Sequence, residues 1–103
     1  MIEIRDDNID CIKDETCYLL FYFTATWCGP CQRIKPIIKE ISKGVEDSKL
    51  KVCMIDIDEN SELVEKYDIK SVPTMILLLN NEQKGICNGT NKEKLLELFK
   101  KVE

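Results

Sequence analysis

The chain has 103 residues, 44% of them apolar and 33% charged, with a net charge of -4 and no histidine. That length supports one domain, 1–103, with a small core, and the 15 basic residues scattered among 19 acidic ones form no basic stripe for nucleic acid or an anionic membrane. No apolar run is long enough to span a bilayer, and the lack of histidine removes both the commonest general base and the commonest zinc ligand.

Residues 2–4 read as a short strand, after which Asp6, Asp7 and Asn8 offer an N-cap for a brief helix carrying Ile9 and Ile12. The opening residues alternate charged and apolar side chains and contain no secretory apolar core, which predicts a cytoplasmic, reducing setting. Residues 17–24 are continuously apolar and aromatic, the pattern of a strand buried on both faces. Ile34, Ile37, Ile38, Ile41 and Val45 then recur once per helical turn, so a helix over 28–45 follows, bent at Pro36 where a backbone donor is missing. The chain returns as a strand over 50–58, and Asn60 caps a helix that turns Leu63, Val64 and Tyr67 inward. Beyond Val72-Pro73 comes a strand over 74–79, a turn at Asn80-Asn81 whose residues tolerate positive φ, and a shorter strand over 84–87. Asn91 caps a last helix with Leu95, Leu96, Phe99 and Val102 on one apolar face and Lys100 and Lys101 at its C-terminal dipole. Alternating strands and helices predict an α/β fold with a parallel core, and the hairpin adds an antiparallel edge.

Trp27-Cys28-Gly29-Pro30-Cys31 stands where the second strand hands over to a helix. Two thiols separated by two residues can close a small disulfide and reopen it, and Pro30 suits a first helical turn because its missing N–H has no partner there. The unpaired N–H groups and the dipole at that end favour an anion, so Cys28 ionises more readily than an ordinary cysteine and becomes the nucleophile. Cys31, one turn on, is placed to resolve the mixed disulfide. A zinc site is the competing reading, but no second CxxC and no histidine complete four ligands. Trp27 reads as packing or as a contact beside the nucleophile, and Pro73 as a turn proline or a substrate contact. Cys11, Cys17, Cys53 and Cys87 read as small apolar residues, the first two being best placed for modification. Asp56, Asp58 and Glu59 lack the glycine and terminal glutamate of an EF-hand loop, and the lysines from Lys92 to Lys101 read as a wet helix face.

WCGPC with the strand order, Pro36, Asp58, the Val72-Pro73-Thr74 triplet and Gly89 resembles the thioredoxin family over essentially the whole chain. The resemblance implies a thioredoxin fold: a central mixed β-sheet with helices on both faces. It implies a protein-disulfide reductase working through Cys28 and Cys31, with Trp27, Gly29, Pro30, Val72, Pro73 and Gly89 around the substrate and a cis bond before Pro73. It further implies no bound cofactor beyond the redox-active disulfide and no metal. Electrons would come from NADPH through a flavin-containing thioredoxin reductase. The expected partners are that reductase and disulfide-containing proteins such as peroxiredoxins, met by a monomer.

Three positions depart from the family pattern. Tyr22 stands where the family carries a buried acid, Met54 where it carries the accompanying lysine, and Thr24 where many members carry a second tryptophan. Losing the acid and the lysine together avoids two desolvation costs, but a phenol is a poor proton acceptor at neutral pH. Slower resolution by Cys31 is therefore expected. The same replacement supports a second reading, a thioredoxin-like adaptor that uses the groove mainly to hold a partner, and an isomerase-like activity is a third.

Overall fold

The computed structural model describes residues 1–5 and 16–102. In chain order the elements are β1 (Ile2–Ile4), β2 (Tyr18–Thr24), α1 (Gly29–Ser42), β3 (Leu50–Asp56), α2 (Ser61–Lys66), β4 (Thr74–Leu79), β5 (Glu82–Asn88) and α3 (Lys92–Lys100). The expected helix around Ile9 and Ile12, and Cys11 with it, lies outside the described residues. The strands form one mixed sheet in the order β1-β3-β2-β4-β5. β1 and β2 flank β3 in parallel, while β4 runs antiparallel to both β2 and β5. This is the thioredoxin fold.

The apolar run of β2 is central because both its faces have something to cover. Leu20 and Tyr22 point to one side, where Ile34 and Ile38 of α1 and Leu95, Leu98 and Phe99 of α3 pack over them. Leu19, Phe21 and Phe23 point to the other, joined by Cys53, Ile55, Ile76 and Leu63 of α2. Tyr67 closes that layer edge-on to Phe21, with ring centres 5.7 Å apart.

Four local expectations are corrected. On α3 the buried residues are Leu95, Leu98 and Phe99, with Leu96 37% exposed, because 95, 98, 99 and 102 share one helical stripe and 96 lies a quarter-turn away. β5 runs from Glu82 rather than from 84: a register shift against Leu77 and Leu78 leaves Lys84 unmatched and lets pairing resume on both sides. The strand expected over 50–58 ends at Asp56, since the backbone turns at Ile57–Glu59 with Asp58 N–H on the Asp56 carboxylate. Asn60 occupies the N-cap position of α2, but its side chain makes no cap bond. Its amide donates instead to the carbonyls of Ile4 and Asp56, tying β1 to the end of β3. Asn80 and Asn81 adopt φ of 52° and 67°, as the hairpin expectation required.

Candidate active site

The carboxyl end of β2 delivers the chain into a tight turn, with Cys28 N–H donating to the Ala25 carbonyl, before α1 begins. Cys28 is the N-cap of α1 and Pro30 lies in its first turn. Gln32 steadies the turn from inside the helix, its side-chain amide donating to the Ala25 carbonyl at 3.1 Å. Cys28 and Cys31 are joined through their sulfurs, with Cα atoms 5.3 Å apart, inside the range a disulfide requires. The Cys31 N–H donates to Cys28 Sγ at 3.2 Å, so this cap is a sulfur where most helices use an oxygen. The same donor and the helix dipole stabilise a thiolate on Cys28 once the bond opens.

Three separate stretches meet here. Val72 brings its carbonyl oxygen 3.8 Å from Cys28 Sγ, and the peptide joining it to Pro73 is cis. Gly89 donates its N–H to the Pro73 carbonyl at 2.9 Å and holds φ at +79°, a conformation that disfavours any side chain. Cys28, Cys31 and Ala25 form a small apolar nucleus against Ile57 and Val72. Cys28 is 5% exposed and Cys31 not at all, whereas Trp27, Gly29 and Pro30 are open to solvent. All eight residues anticipated from the sequence thus lie on the turn into α1 or on the two loops that face it.

Two partnerships were not legible. Trp27 is 65% exposed, and its indole N–H donates to the Asp58 carboxylate at 2.9 Å. Tyr22 donates its hydroxyl to the Cys31 carbonyl at 2.6 Å. Burial pushes the Tyr22 phenol above its usual range by disfavouring the phenolate, and the Thr24 hydroxyl beside it opposes this without reaching a regular hydrogen bond. Among the described residues no three His, Cys, Asp or Glu side chains converge as a metal site, and no helix is long and apolar enough to cross a membrane.

The family model described as Thioredoxin matches residues 3–101. The chain belongs to the thioredoxin family. It is 47% identical to a thioredoxin of Rickettsia bellii over 78 residues, covering 76% of this chain and 73% of that one. It is 35% identical to a thioredoxin of Staphylococcus epidermidis over 102 residues, covering 98% and 96%. Among solved structures, the thioredoxin of Plasmodium falciparum superposes with a TM-score of 0.89 at 32% identity over the full length of both chains. Thioredoxins are protein-disulfide oxidoreductases that work through a CxxC pair, and the sulfur-linked Cys28 and Cys31 make this chain a dithiol-disulfide oxidoreductase whose substrates are disulfide-containing proteins. The adaptor and isomerase readings are not favoured, since the chain matches the thioredoxin family model and the relatives it matches are thioredoxins.

Proposed function

We propose that residues 1–103 act as one thioredoxin domain, a cytoplasmic monomer that reduces protein disulfides with Cys28 as nucleophile and Cys31 as resolver. The observation that carries the assignment of roles is the Cys31 N–H on Cys28 Sγ at the start of α1, with Cys28 the more accessible of the two sulfurs. Cys28 thiolate attacks a substrate disulfide and expels one substrate sulfur as a thiolate. Cys31 then attacks Cys28 Sγ, the intramolecular disulfide forms, and the second substrate sulfur leaves. Two electrons pass from the dithiol to the substrate.

The groove supports an extended substrate segment across Trp27, Gly29 and Pro30 on one side and Val72, Pro73 and Gly89 on the other. The Val72 backbone stands 3.8 Å from the reacting sulfur, close enough to pair with a segment whose cysteine is under attack. Regeneration takes electrons from NADPH through a flavin-containing thioredoxin reductase, and peroxiredoxins are fitting substrates.

The test couples NADPH oxidation to insulin reduction in the presence of a thioredoxin reductase. Cys28→Ser abolishes turnover, and Cys31→Ser accumulates mixed disulfides visible on non-reducing gels. Wild-type turnover by Cys28→Ser would overturn the reading.

A further inference from the structure

Beneath the carboxyl ends of β2 and β3 lies a pocket of about 220 Å³, roofed by Gln32 and Lys35 of α1 and floored by Thr24, Met54 and Asp56. Thr24 and Asp56 are register partners on adjacent parallel strands, so their side chains stand next to each other on one face of the sheet. Thr24 is 6% exposed, and its enclosed hydroxyl oxygen has no hydrogen-bond partner among the described residues. A buried hydroxyl on the wall of a polar pocket calls for water, and the volume is several times the roughly 30 Å³ one water occupies.

The chemistry of resolution needs somewhere for a proton to go. Cys31 attacks as a thiolate, yet it is wholly buried and its thiol must first be deprotonated. Tyr22 cannot take that proton, because its hydroxyl already donates to the Cys31 carbonyl and burial keeps it protonated. Ala25 belongs to the same apolar nucleus as Cys31 and also lines the pocket, so the polar space borders the nucleus that holds the thiol. On the far wall Asp56 offers a carboxylate.

We propose that Asp56 accepts the proton of the resolving thiol through the Thr24 hydroxyl and water held in this pocket. In the mixed disulfide the Cys31 S–H proton passes to that chain and the Asp56 carboxylate takes one up. The Cys31 thiolate forms a bond to Cys28 Sγ, the bond from Cys28 to the substrate sulfur breaks, and the substrate leaves as a thiolate that is protonated in turn. Glu3 and Arg5 at the β1 edge, Lys35 on α1 and Glu59 in the turn after β3 also face the pocket, and Arg5 pairs with Glu59 at 3.1 Å. Together with the Asp58 N–H on the Asp56 carboxylate, these are the groups that surround the acceptor.

The assignment rests on Cys28 attacking and Cys31 resolving, and the test separates the two. An aromatic disulfide that releases one coloured thiolate at each step is mixed with reduced protein in a stopped-flow instrument across pH. Asp56→Asn, which keeps an oxygen for the Asp58 N–H, slows the second release about tenfold or more near pH 7 and leaves the first unchanged. Thr24→Val does the same, Thr24→Ser restores the rate, and the double variant Asp56→Asn/Thr24→Val is no slower than the slower single variant. The pH profile of the second step differs between Asp56→Asn and wild type. A second release at the wild-type rate and with the wild-type pH profile in Asp56→Asn overturns the proposal, as does equal slowing of both steps. A first release that survives Cys28→Ser overturns the division of labour itself.

Discussion

The Trp27 indole donates to the Asp58 carboxylate at 2.9 Å across 31 residues of sequence, and this one bond holds a largely exposed ring at the edge of the disulfide. Because Trp27 is the only tryptophan, the fluorescence comes from that ring alone. Asp58→Ala frees the ring: emission anisotropy falls, and kcat/KM for a protein disulfide drops about two- to tenfold, the kinetic equivalent of one modest hydrogen bond. Unchanged anisotropy would mean that packing, not Asp58, fixes the indole.

Tyr22→Phe removes the hydroxyl that donates to the Cys31 carbonyl and leaves that buried oxygen without this donor. The expected cost is about 1 kcal/mol in denaturant unfolding, with reduction of insulin preserved. Its pH signature is specific. The unfolded phenol ionises near 10.0 and the folded one above it, so the group's contribution is intact below pH 10 and is lost as pH rises through the folded value. Wild type therefore destabilises more steeply than Tyr22→Phe on the alkaline side, a difference that unfolding curves between neutral pH and about pH 11 would reveal.

Cys87, in the same core cluster as Tyr22, follows the same logic. Burial raises its thiol above the ordinary 9.0, opposed in part by Lys94. It should alkylate far more slowly than Cys28 in the reduced native protein, and peptide mapping after brief iodoacetamide treatment at neutral pH gives the order. Rapid native labelling of Cys87 would contradict its 1% exposure.

Two glycines should respond differently to alanine. At Gly85 an added Cβ would come 2.6 Å from a methyl of Leu98, which is itself buried under α3, so Gly85→Ala forces β5 and α3 apart at about 1–3 kcal/mol. At Gly89 there is room, but φ of +79° opposes any Cβ, and the cost is about 1–2 kcal/mol of backbone strain. Gly89 also donates to Pro73, so only Gly89→Ala should weaken substrate binding, seen as a raised KM.

What the sequence disclosed was what depends on neighbours along the chain. The apolar run into β2, the once-per-turn isoleucines of α1 and the paired asparagines of the hairpin each announce a local conformation, and CGPC lies within one turn of helix. Partnerships that span the fold leave no such trace. Asn60 reads as a cap, yet its amide reaches back 56 residues to Ile4. The Trp27 to Asp58 bond and the Thr24 pocket exist only because β3 lies beside β2. Spacing is silent on lateral order in a sheet, which is where the missed contacts arose.

Cys17, Cys53 and Cys87 sit just before β2, within β3 and near the end of β5, 7%, 0% and 1% exposed. Two strands of the sheet and the entry to a third thus carry their own dormant chemical reporter, spaced from an edge to the interior. Under a thiol reagent in excess, each would record how often its own neighbourhood opens, and labelling should proceed from the β5 edge and the entry to β2 toward β3, which is paired on both sides. The unaltered chain is in effect an instrument for mapping its own local unfolding.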